Sequence, residues 1–126
     1  MSKMQLPKVK SLEEIKFVSK VWGYERWFHN KDCCLKELFI KEGSACSWHY
    51  HNLKDEVFHI LSGKGVVKIS WEDDENAAFL RSVSKRDSLH IPTGLRHRII
   101  AKRNLTIFEV STHHEDSDSI RLYPGY

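Results

Sequence analysis

An all-β sandwich or barrel is the fold class that this sequence predicts, on three observations. Short runs of β-branched, aromatic and aliphatic residues recur along most of the 126-residue chain. Turn-forming clusters separate them at near-regular spacing, and Pro and Gly fall between the runs, where they do not interrupt a ladder. Long stretches of helical periodicity are missing.

The elements follow in order. Ser11-Leu-Glu-Glu14 has capping-box spacing, so one short helical turn is expected from Ser11 to about Phe17. Strands are then predicted at Val18–Phe28, Cys34–Lys41, Ala45–His51, Glu56–Leu61, Gly65–Trp71, Ala77–Val83, Ser88–Ile91, His97–Ala101 and Leu105–Ser111. Between them lie turn clusters such as His29–Asp32, Asn52–Asp55, Ser62–Gly65 and Pro92–Gly94. The last stretch, His113 to Tyr126, is polar before it ends in Arg-Leu-Tyr-Pro-Gly-Tyr, and is expected to lie extended against the barrel. The division is one domain over 1–126, with an arm at 1–17, a barrel at about 18–112 and a C-terminal segment at 113–126.

Composition narrows the function classes. Twenty basic and 17 acidic residues are interspersed, and no basic stripe suggests nucleic acid. No apolar run approaches the ~18 residues of a membrane span, and no apolar stretch follows the N-terminal lysines as a secretory signal requires. Cys33, Cys34 and Cys46 are odd in number, and two are adjacent. Free thiols in a reducing cytoplasm are the expectation.

His49 and His51 are two apart, so on a strand both imidazoles face one side of the sheet. Glu56 opens the next predicted strand, which an antiparallel return brings beside them. His97 heads a later strand, just after Pro92-Thr-Gly94. Three imidazoles and one carboxylate suit one divalent ion, whether Zn, Mn, Fe, Co or Ni. Four protein ligands on a six-coordinate ion leave positions for substrate or water.

The segment from Gly43 through His49, His51 and Glu56 to Gly63 resembles the first cupin motif, G-x5-H-x-H-x3,4-E-x6-G, at every fixed position. The second motif, G-x5-P-x-G-x2-H-x3-N, is matched at Pro92, Gly94 and His97. Arg86 stands in place of its first Gly and Ala101 in place of its Asn. The resemblance implies a cupin double-stranded β-barrel, or jelly roll, with His49, His51, Glu56 and His97 as the metal ligands.

Further words are similar to the C-terminal cupin of type II mannose-6-phosphate isomerases: Val21-Trp-Gly-Tyr24, Lys36, Ile91-Pro92 through His97-Arg98, Glu109-Val110, and in part Asp118-Ser-Ile-Arg121. That likeness implies a sugar or sugar-phosphate isomerase or epimerase. Glu109, a carboxylate in an otherwise apolar run, is the candidate base, and Lys36 the candidate acid or anion partner. Arg98 and Arg121 are the candidate phosphate-binding residues, although the alternation that turns His97 inward turns Arg98 outward. An Fe(II) oxygenase and a non-catalytic sugar-binding or regulatory barrel remain alternatives. The same alternation puts Cys46, Trp48 and Tyr50 outside. The aromatic pair then needs cover, with Trp22, Trp27 and Phe28 as possible partners, and a homodimer is expected to supply it.

Overall fold

Alternation of buried and exposed side chains sets the strands. In Cys33–Ile40, residues 34, 36, 38 and 40 are buried while their neighbours reach solvent. Leu105–Thr112 repeats the pattern at 105, 107, 109 and 111. The computed structural model describes residues 5–126. Its strands are β1 (Lys16–Lys20), β2 (Gly23–Asn30), β3 (Cys33–Ile40), β4 (Trp48–His51), β5 (Glu56–Ser62), β6 (Lys64–Ser70), β7 (Phe79–Ser84), β8 (Ser88–Ile91), β9 (Arg96–Ala101), β10 (Leu105–Thr112) and β11 (Ser119–Tyr123). They form two antiparallel sheets, ordered β1-β2-β3-β10-β5-β8 and β11-β4-β9-β6-β7. This is the jelly-roll arrangement. Among the described residues, no helix is long and apolar enough to cross a membrane.

Register decides which inward side chains meet. In the larger sheet one cross-strand row runs Trp27, Lys36, Glu109, Phe58 and Leu89. The next row toward one end carries Cys34, Ser111, Glu56 and Ile91. In the smaller sheet Arg121 pairs with His49, and His49 with His97. Toward the opposite end the inward residues are apolar: Ile40, Ile60, Val67, Ile99, Leu105 and Ile107 are at most 1% exposed. Burial of each contributes about 1.5–3 kcal/mol. One end of the interior is thus an apolar core, and the other opens into a cavity lined by both polar and apolar side chains, Phe58 and Ile99 among them.

Several boundaries differ from the sequence expectation. The predicted run Val18–Phe28 is a hairpin, because Trp22 turns into the core and its carbonyl accepts from Lys41 N at 2.9 Å. The N-terminal helical turn shrinks to a 3₁₀ turn at Leu12–Glu14. Ser11 Oγ bonds the Glu14 carboxylate at 3.1 Å instead of capping the backbone, and β1 already begins at Lys16. Ala77 belongs to a second 3₁₀ turn, Glu75–Ala77, capped by Asp74. The C-terminal segment supplies β11, a full strand paired with β4.

Two turns show what glycine and its replacement do. Gly63 has φ +95°, and a Cβ there would run into the Asn104 carbonyl oxygen. Arg86, in the place of the second motif's first Gly, takes φ +77° nonetheless. The left-handed turn before β8 therefore persists, at a cost of about 1–2 kcal/mol.

The outward aromatic pair finds its cover within the chain. Trp48 is fully buried, and its Nε1 donates to Asp73 O at 2.8 Å in the β6–β7 connection. The Arg96 guanidinium lies over the Tyr50 ring at 3.6 Å. Trp22 sits in the core, Trp27 meets the His114 ring edge-on at 5.0 Å, and Phe28 meets Phe108 at 6.2 Å. Trp48 is buried within the single chain, so the aromatic argument for a homodimer loses its basis. Cys46 also departs from the expected outward position. Residues 46 and 47 precede the regular strand, so strict alternation does not hold there, and the thiol turns inward to accept from Ile99 N at 3.1 Å.

Candidate metal centre

β4 and β9 bring His49, His51 and His97 together, with one nitrogen of each within 4.8 Å of the others. Second contacts fix how each ring points. His97 Nδ1 donates to Leu95 O at 2.9 Å, and His49 Nδ1 donates to Ser47 O at 2.9 Å. Carbonyls only accept, so both Nε2 atoms carry free lone pairs. His51 Nδ1 faces Ser119 Oγ at 3.3 Å and Asp118 Oδ2 at 3.9 Å, and its Nε2 also turns inward.

Glu56, from the start of β5, completes the cluster. Its Oε2 is 3.3 Å from His51 Nε2 and 3.4 Å from His97 Nε2. Glu56 Oε2 and His97 Nε2 are fully buried and have no hydrogen-bond partner. Buried acceptors that face one another without a donor are costly, and a divalent cation removes that cost. The donor set, nitrogen with one carboxylate, suits a transition-metal ion. The four sequence-predicted ligands therefore fit the group.

His49, His51 and Glu56 of the cluster line a cavity of about 320 Å³. Glu109 and Lys36 line it from adjacent strands and are 5% and 2% exposed. Lys36 Nζ is 3.6 Å from Glu25 Oε1 and 3.9 Å above the Trp27 ring. Arg121 lines the cavity from β11, on the face that carries His49. Arg98 lies elsewhere. Its side chain is on the outer face of the smaller sheet, held by Glu75 at 3.2 Å and Pro124 O at 2.9 Å. It is removed from the candidate anion-binding set because strand alternation puts it opposite His97.

Sequence reasoning passed over Lys54. Nothing marks it among the polar residues Asn52–Asp55, yet it is 3% exposed. Its ammonium donates to Glu109 Oε2 at 2.9 Å and His114 Nδ1 at 3.0 Å, and lies 3.8 Å from Glu56 Oε1. Burial alone lowers the Lys54 pKa, but Glu109 and Glu56 outweigh it and hold the amine charged. His114 in turn reaches Asp116 Oδ1 through Nε2 at 2.9 Å. Cys46 lines the cavity but is inert, because burial pushes its thiol up to about 12.

The imidazoles give an expected pH dependence. Burial lowers His49, His97 and His114 below the ordinary 6.5, with His97 and His51 lowering His49 further. Unfolded, these rings take protons near 6.5; folded, they take them only at lower pH. The unfolded state then holds more protons, so stability is present above 6.5 and lost as pH falls below it. The Glu56 carboxyl adds a second loss below about 4.5. Burial raises its pKa, but His97, His51 and Lys54 hold it well below that value. Urea midpoints of chelator-treated protein should fall from pH 7.5 to 5.5. A midpoint that rose would contradict this assignment of neutral rings.

The Cupin domain family profile matches residues 37–110, more than half of the chain. No curated protein sequence matches significantly. Among solved structures, the capsular polysaccharide assembling protein CapF from Staphylococcus aureus is 22% identical. Its match covers 86% of this chain and 32% of that one, with a TM-score of 0.75. Oxalate decarboxylase from Bacillus subtilis is 19% identical over 95% of this chain and 33% of that one, with a TM-score of 0.75. This chain spans about a third of the length of either.

Proposed function

Because this chain belongs to the cupin domain family, we propose that its cavity is the active site of a metal-dependent isomerase or epimerase for a sugar or sugar phosphate. The carrying observation is the Lys54–Glu109 pair, 2.9 Å apart and lining the same cavity as His49, His51 and Glu56. A divalent cation bound there supplies Lewis-acid polarisation of a carbonyl and orients the neighbouring oxygens. Glu109 accepts the proton as the substrate C–H bond breaks and, for isomerisation, returns it to the adjacent carbon while the neighbouring hydroxyl proton passes to the former carbonyl oxygen. For epimerisation Lys36 protonates the opposite face, and Glu109 releases its proton and Lys36 regains one from solvent. Lys54 holds Glu109 in one orientation through the 2.9 Å hydrogen bond to Oε2. Lys36 donates to substrate oxygens, its Nζ having, among the described residues, only the 3.6 Å approach of Glu25 as an ionic partner. Arg121 has no hydrogen bond or ion pair among the described residues, and its guanidinium suits a phosphate at the cavity mouth. The free thiols suit a reducing cytoplasm.

The test is solvent exchange. Metal-reconstituted protein is incubated in deuterated water with aldoses, ketoses and their 6-phosphates. Loss of the C–H signal next to the carbonyl is expected for at least one phosphorylated substrate. No exchange across the panel, with metal bound stoichiometrically, would overturn the reading.

A further inference from the structure

The segment that follows the family match reaches back into the metal centre. The tetrapeptide Asn52–Asp55 joins two metal ligands, His51 at the end of β4 and Glu56 at the start of β5, and it carries Lys54. Its amides point at one side chain. Asp118 Oδ1 accepts from Asn52 N at 3.0 Å and Leu53 N at 2.9 Å, and Oδ2 accepts from Lys54 N at 3.0 Å. Asp118 is 8% exposed, and Oδ2 also lies 3.9 Å from His51 Nδ1. The next residue, Ser119, pairs with His51 across the strands and sets its hydroxyl 3.3 Å from the same Nδ1.

We propose that Asp118, seconded by Ser119, is a positioning residue that sets His51, Glu56 and Lys54 in one geometry around the metal. The inference rests on the metal centre but not on the isomerase reading. A carboxylate that accepts three backbone N–H groups fixes the loop as a turn, and charge-assisted bonds are the stronger kind. The strands on either side are held independently: β4 by β9 and β11, and β5 by β10 and β8. Loss of Asp118 therefore loosens the connection without removing the sheets. Its effect falls on the distance and angle between His51 and Glu56, and so on metal affinity.

The experiment measures Zn(II) and Co(II) dissociation constants by chelator competition, together with the visible absorption of the Co(II) protein, for wild type, Asp118→Asn and Ser119→Ala. Asp118→Asn replaces one acceptor oxygen with an amide that faces donors. Metal affinity should weaken about 10–100-fold, the range for partners that orient metal ligands, and the Co(II) bands should shift. Ser119→Ala removes only the hydroxyl at His51, so a several-fold weakening is expected. It decides the matter if Asp118→Asn fails to fold. Affinities within twofold of wild type and unchanged Co(II) bands, in whichever variant folds, would overturn the proposal. A wild-type protein that binds no metal would instead overturn the metal centre itself.

Discussion

His97→Ala is expected to weaken binding of Zn(II), Mn(II) or Co(II) by more than ~100-fold, since loss of a mere orienting partner already costs 10–100-fold. His97 is 0% exposed, and its Nε2 has no protein donor to turn to. The ring is held by Leu95 O from behind, so no neighbouring side chain takes its place without a change in β9. The cleanest readout is the thermal shift. Metal at a hundredfold excess over its Kd stabilises wild type by about 2.7 kcal/mol, and that increment should vanish in the variant. Exchange activity should vanish with it. Stoichiometric metal in His97→Ala at micromolar concentration would contradict the assignment.

His97 also illustrates what the sequence makes legible. His49 and His51 announce a shared face through period-two spacing, and Glu56 and His97 announce themselves through fixed distances to Gly43, Gly63, Pro92 and Gly94. These are local relations along one or two strands, and the chain carries them openly. The inward facing of Glu109 with Ile107 and Ser111 is legible for the same reason, as is the outward turn of Arg98.

The rest depends on contacts between residues far apart in the chain. Lys54 stands among Asn52, Leu53 and Asp55, a cluster that reads as a solvated turn. It is buried because Asp118, 64 residues on, draws the turn's amides inward. Its ammonium then meets Glu109, 55 residues on, and His114, 60 residues on. No periodicity encodes such a meeting. Trp48 is a similar case. Alternation puts it outside, but whether a second subunit or the chain itself covers it depends on where the β6–β7 connection folds back, and Asp73 O settles that.

Glu109→Gln carries the second large expectation, and it separates chemistry from binding. The amide keeps the shape of the carboxylate, and its oxygen still accepts from Lys54, but it cannot take a proton from carbon. General-base catalysis is worth 10²–10⁴-fold, so exchange should fall by about that factor. Metal affinity should stay near wild type, because Glu109 is not a ligand. Stability should fall as well, because the Lys54 ammonium remains buried with only Glu56, 3.8 Å away, as a charged partner. Breaking a buried pair costs about 3–5 kcal/mol, and the retained hydrogen bond puts this variant near 3. Restoring charge balance in Lys54→Met with Glu109→Leu should recover most of that stability but none of the exchange. If Glu109→Gln exchanged protons at the wild-type rate, the base would have to be sought elsewhere in the cavity. Lys36, the cross-strand partner of Glu109 on β3, is the next candidate.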